Sequence, residues 1–209
     1  MKRLSLLLAF AVFNMSCQSR SRSRPIVLVE TELGDVIIEL FLDRAPITAS
    51  NFLRYVDENR FGDASFYRVV RLNNQPDIDV KIEVIQGGIG FVESDLRLPP
   101  IIHETTRKTG VLHKNGVISM ARREPGTASS EFFICVGDQP ELDFGGKRNP
   151  DGQGYATFGR VIQGMDVVHA IQQRPAQGQM LVSPVKIINV RRMKARSLRP
   201  DSSNHGANK

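Results

Sequence analysis

The chain has 209 residues, a formal net charge of +6, 41% hydrophobic and 24% charged residues, and only two cysteines. That length gives one ordinary domain with tails and no reason to divide it in two. A domain of this size buries a continuous core without metal or disulfide support, and the composition is that of a globular protein rather than a fibrous or wholly disordered chain.

In chain order, Met1-Lys2-Arg3 is a short basic start, and Leu4 to Phe13 is an apolar run too short to span a bilayer comfortably. The run closes on Asn14-Met15-Ser16-Cys17, so residues 1–17 read as a secretory signal and are set aside from the fold. A cysteine at that place suggests a bacterial lipoprotein signal, with Cys17 as the lipidated first residue of the mature chain; plain cleavage nearby is the alternative. Residues 18–25 alternate Ser with Arg20, Arg22 and Arg24 and read as a solvated tether. The expected location is the periplasm-facing bacterial cell envelope, with membrane contact through the lipid.

Ile26–Thr31 and Asp35–Phe41 are β-branched runs that read as two antiparallel strands joined at Glu32-Leu33-Gly34. Pro46 opens a helix with Ala49, Phe52, Leu53 and Val56 on one apolar face. Further strands are expected over 65–70, over Val80–Gln86 by alternation, and over 117–122, 131–136, 157–162 and 184–190. A short helix is expected over Met165–Gln172. Residues 91–108 contain Pro99-Pro100, show no clean period and read as an irregular loop. Cys135 lies in the run Phe132–Val136 and reads as a buried small hydrophobe. His103, His113 and His169 fall on a loop, a strand edge and a helix without ligand spacing, so no metal is expected. Arg191, Arg192, Lys194, Arg196 and Arg199 crowd the C-terminal end, a basic run that reads as frayed, with the domain ending at 192 and the disordered tail over 193–209. No aromatic platform is interleaved with these charges, so nucleic-acid binding is not expected. Many short strands and two helices give a mainly β chain, either a closed or nearly closed antiparallel barrel or a sandwich.

Several motifs, in order, then narrow the reading. They are Phe66-Tyr67-Arg68-Val69-Val70, Ile85-Gln86-Gly87-Gly88, Gly116-Val-Ile-Ser-Met-Ala121, Ser129-Ser130-Glu131-Phe132-Phe133-Ile134-Cys135, Leu142-Asp143, and Phe158-Gly159-Arg160-Val161. The chain resembles the cyclophilins over residues 26–192. The resemblance implies a closed eight-stranded antiparallel β-barrel capped by two α-helices, with a groove on its outer wall. It also implies peptidyl-prolyl cis-trans isomerase activity without a cofactor. With the signal segment, the expected substrates are proline-containing segments of exported proteins and the enzyme a monomer; a non-catalytic proline-peptide binding module or chaperone on the same barrel is the alternative.

By that resemblance Arg68 is the catalytic donor, and Phe133 and Leu142 line the proline pocket. Gln86 bonds the substrate backbone, Val84 and Tyr155 border the pocket, and Ala121 and Arg122 run along the bound peptide. Six positions depart from the family pattern: Tyr67 for His, Glu83 for an aromatic, Val84 for Met, Glu131 for Gln, Glu141 for Trp and Tyr155 for His. If Glu131 lies near Arg68, it would either pair with it and compete for its donors or instead favour basic substrates. The link from Arg68 to Gln86 is long, with 73–77 at the tip of a hairpin-like extension, and residues 143–155 read as an enlarged loop rimming the groove.

Overall fold

The computed structural model describes residues 24–91 and 93–193. The signal with Cys17, most of the Ser/Arg tether, and the tail beyond Met193 lie outside these residues.

Strand β1 (Ile26–Thr31) pairs antiparallel with β2 (Gly34–Leu40) through the tight turn expected from Glu32-Leu33. Thr31 Oγ1 donates to the Gly34 carbonyl at 2.7 Å. A Cβ at Gly34 would lie 2.9 Å from Val167 Cγ2, at a φ of +130°. Helix α1 (Pro46–Asp57) buries Ala49, Phe52, Leu53 and Val56, and the loop residue Glu104 accepts both the Thr48 N–H and its hydroxyl at 2.7 Å. A carboxylate from the loop thus caps a helix start whose own residues supply no side-chain cap.

The remaining strands are β3 (Ser65–Val70), β4 (Val84–Gly88), β5 (Val117–Met120), β6 (Phe132–Cys135), β7 (Ala156–Gln163), β8 (Ala176–Gln177) and β9 (Met180–Met193). Helix α2 is a single turn at Thr106–Thr109, and α3 spans Met165–Gln172. The sheet runs β1-β2-β7-β5-β6-β4-β3-β9, and β9 pairs back with β1, closing an eight-stranded barrel; β8 is a short hairpin partner of β9. Closure leaves the main strands paired on both sides. Helix α1 packs on β7 and β9, and α3 packs on β2, β3 and β4.

Alternation sorts the side chains between the barrel interior and its outer wall. On β6, Phe132 and Ile134 join the main core, while Phe133 and Cys135 join a second apolar cluster with Val70, Ile82, Val84 and Leu142. On β1, Val27 and Val29 point in, while Ile26 and Leu28 form a small outer cluster with Ile37. Cys135 is fully buried, and burial pushes its thiol well above its ordinary range.

The structure moves several expected elements. Strand β4 starts at Val84 rather than Val80, although Val80, Ile82, Val84 and Gln86 kept strand period. Residues 71–83 fold instead as a 3₁₀ turn at Leu72–Asn74 followed by bends, not as a laddered extension. They are anchored by the nearly sealed Gln75, whose Nε2 donates to the carbonyls of Arg71 and Ile82. The last strand is longer than expected and contains Arg191 and Arg192, which are not frayed. Arg192 forks onto Asp57 at 2.6 Å and Arg191 pairs with Glu30 at 3.4 Å. At the other end, Arg24 is no free tether: it forks onto Asp43 at 3.0 Å with its guanidinium 4.6 Å from the Phe41 ring centre. The 91–108 region is irregular as expected, apart from its helical turn. It is pinned where Tyr55 Oη accepts from the Leu98 N–H at 2.7 Å and Ser129 Oγ donates to the Leu98 carbonyl at 2.6 Å.

Candidate active site

Strand β3 carries a bulge. Phe66 pairs with Gly87 and Arg68 with Gln86, leaving Tyr67 without an opposite residue; the shift recurs against β9. Regular alternation would send Arg68 to the same side as Phe66, into the core. The extra residue turns Tyr67 and Arg68 both toward the outer wall and returns Val69 to the core.

Beside Arg68 a cleft of about 380 Å³ opens. Val84, Phe133 and Leu142 give it an apolar floor, and Ala121 and Tyr155 pack against that floor. Phe133 and Tyr155 meet edge to face with ring centres 5.3 Å apart. Gln86, Arg122 and Glu131 line it as well, so all nine residues singled out in the sequence for catalysis or peptide contact border one cleft.

The Arg68 guanidinium donates from Nη1 to Gln86 Oε1 at 2.7 Å and from Nε to Gln179 Oε1 at 3.1 Å. Burial lowers its pKa, but guanidinium remains a cation. Gln86 Nε2 in turn donates to Tyr67 Oη at 3.0 Å, and that hydroxyl donates to the Glu131 carboxylate. Glu131 therefore does not compete for the Arg68 donors, the first of the two alternatives read from the sequence. It accepts instead from Tyr67, from Ser130 Oγ at 2.9 Å and from the Gly90 N–H at 3.1 Å, and it lies 3.6 Å from Arg97 Nη1. Burial is the main cause holding its pKa above the ordinary carboxylate range, with these hydrogen bonds opposing. Gly88 makes room for it: a Cβ there would fall 2.5 Å from Glu131 Oε2.

Glu83 is outside the cleft and accepts from Gln172 of α3 at 3.5 Å; Ile82, its neighbour, supplies apolar lining instead. Glu141 accepts the Lys147 N–H at 2.8 Å within the enlarged loop. That loop is held by Arg122, whose guanidinium forks onto Asp151 at 2.7 and 2.9 Å, reaches the Gly154 carbonyl at 2.8 Å and lies 5.3 Å from the Tyr155 ring centre. His113, expected at a strand edge, is buried. It bonds Asp143 at 2.7 Å and Ser119 Oγ at 3.0 Å and stacks on Phe133. Ile82, Phe91, Arg97 and Arg148 also line the cleft, and Gln179 holds Arg68; the sequence reading named none of them as site residues. Only the apolar phase of Ile82 with Val84 hinted at its place.

The barrel is that of the cyclophilins. It aligns with a cyclophilin-type peptidyl-prolyl cis-trans isomerase of Cryptosporidium parvum with a TM-score of 0.63 and 21% identity, over 82% of this chain and 98% of that one. The family model for cyclophilin-type peptidyl-prolyl cis-trans isomerases matches residues 26–192. A peptidyl-prolyl cis-trans isomerase of Acinetobacter baylyi is 34% identical over 199 residues, covering 91% of this chain and 95% of that protein. Peptidyl-prolyl cis-trans isomerase B of Escherichia coli is 35% identical over 151 residues, 70% of this chain and 84% of that protein. The chain belongs to the cyclophilin-type peptidyl-prolyl cis-trans isomerase family and is an enzyme of that class.

Proposed function

We propose that this protein isomerises X-Pro bonds by seating the proline ring against Phe133, Leu142 and Val84 while Arg68 stabilises the twisted imide. The observation that carries the reading is a half-buried guanidinium beside an apolar outer cluster in one cleft. X-Pro bonds have cis and trans forms of similar energy, separated by the resonance barrier of the amide. Rotation removes that resonance and leaves a lone pair on the imide nitrogen. A fixed cationic donor favours this form over the planar one, and that differential binding is catalysis without a covalent step. Gln86 and Gln179 hold the guanidinium plane, so little reorganisation is needed as the bond turns. A structure of the Cryptosporidium parvum relative was determined in the presence of the dipeptide Ala-Pro, which supports a proline-containing ligand for the groove.

The clients are segments of exported proteins, and the enzyme works at the periplasmic face of the envelope as a lipid-anchored monomer. Support comes from the basic start, the short apolar run and Cys17. Fatty-acid labelling that persists in Cys17→Ser would remove the anchor from this reading. For the chemistry, cis-to-trans exchange in a proline peptide is compared for the purified protein and Arg68→Ala. Loss of one transition-state donor predicts a fall in kcat/KM of about 100-fold or more. An unchanged rate in the variant overturns the role of Arg68.

A further inference from the structure

We propose that Arg148 makes this groove selective for proline segments that carry an acidic side chain within two residues of the proline. The proposal rests on the isomerase reading above and names the substrates that the site prefers.

Charge in the cleft is unevenly balanced. Five arginines line it, and Glu131 is the one carboxylate among its described lining residues. Two of the five are already compensated: Arg122 by its fork onto Asp151, and Arg97 by Glu131. Arg123 is exposed at the rim. Arg68 and Arg148 are different. Arg68 donates to two glutamine oxygens. Arg148 Nη1 donates to Gln75 Oε1 at 2.9 Å and to the Val80 carbonyl at 2.6 Å. All four acceptors are neutral, so they orient the two guanidiniums without cancelling either charge. Burial lowers the pKa of both, and the Arg68 charge lowers that of Arg148 further. Two cations thus share a partly desolvated wall, where a carboxylate gains more than in open water and an ammonium is repelled.

Arg148 is also rigidly placed. It belongs to the enlarged loop, its N–H donates to the Glu141 carbonyl at 3.1 Å, and its side chain reaches the long link between β3 and β4 at Gln75 and Val80. The loop is fastened on its far side by the Arg122–Asp151 fork. The two segments that lengthen this chain relative to the family pattern therefore meet at one cation facing the groove. Glu131 does not offset it, because its oxygens are occupied by Tyr67, Ser130, Gly90 and Arg97.

The test uses the intact protein and proline peptides identical except for Glu, Gln or Lys at one of the two positions on either side of the proline. At low salt, kcat/KM for the best Glu peptide exceeds that of its Gln counterpart by about tenfold, as one charge-assisted contact gives. The Lys peptide is slower still, and the gaps shrink as salt rises. In Arg148→Gln the Glu-to-Gln ratio falls toward one, while Arg148→Lys retains part of it. Equal rates on all Glu and Gln peptides in the unmodified protein overturn the proposal and leave the isomerase reading standing. So does a ratio that survives in Arg148→Gln. If no peptide is isomerised, the isomerase reading fails and takes this proposal with it.

Discussion

Arg68 and Gln86 face each other across β3 and β4, with Nη1 to Oε1 at 2.7 Å. Through Gln86 Nε2 and the Tyr67 hydroxyl, that contact continues to the Glu131 carboxylate, so one hydrogen-bonded chain runs from the cation of the cleft to its carboxylate. Members of such a chain polarise and orient one another, which ties the placement of Arg68 to residues it does not touch.

Gln179 is the second holder of Arg68 and belongs to the turn between β8 and β9, far from the apolar floor of the cleft in sequence. In Gln179→Ala the guanidinium keeps Gln86 alone. A contact of about 1 kcal/mol predicts a loss of roughly fivefold in kcat. KM and the melting temperature should change little, and steady-state isomerisation with thermal unfolding of the same sample checks both.

Ile82 lines the cleft and packs with Val84, Phe133 and Leu142 outside the main core. Truncation in Ile82→Ala leaves a void beside the apolar floor of the cleft. We expect destabilisation of about 2–4 kcal/mol by denaturant titration, together with a higher KM for proline peptides. An unaltered KM would show that Ile82 belongs to the fold alone.

Burial raises the Glu131 pKa, so the folded protein holds this proton more tightly than the unfolded chain does. The sign follows from linkage: its contribution to stability is greatest below the ordinary carboxylate range and is lost as pH rises through the raised pKa. Glu131→Gln cannot titrate there. As pH rises from about 4, near the ordinary glutamate value, the stability of Glu131→Gln relative to the native protein should rise. Chemical denaturation of both at several pH values measures the difference, and parallel curves would refute it.

Gly88 has a φ of +145°, and a methyl group there would collide with the Glu131 carboxylate. Gly88→Ala should therefore cost about 1–3 kcal/mol of stability and displace Glu131 from Tyr67. Denaturation, with the tyrosine hydroxyl resonance as a second readout, checks this.

Much of this molecule was legible in its residues. The runs at Ile26–Thr31 and Ser65–Val70 and the helix at Met165–Gln172 stand where period and breakers put them. The ordered motifs pointed to nine residues that share one cleft. What was hidden depends on geometry that period does not encode. Alternation cannot reveal the unpaired Tyr67, because an inserted residue looks like any other in a string of β formers. It also misled at Val80, since Ile82 keeps strand phase while buried in a non-strand segment. Arg148 and Gln179 reach the site from loops whose paths are set by tertiary contacts, and Arg191 and Arg192 looked like tail until β9 carried them past β1.

Strand β9 pairs with both β1 and β3. Those fourteen residues are the last stave of the ring, and without them the sheet has two raw rims. Joining the first strand to the last demands contacts across nearly the whole domain, the slowest kind to find. Until β9 is seated, both β1 and β3 keep an open edge able to capture another strand, so ring closure and protection from aggregation are one event.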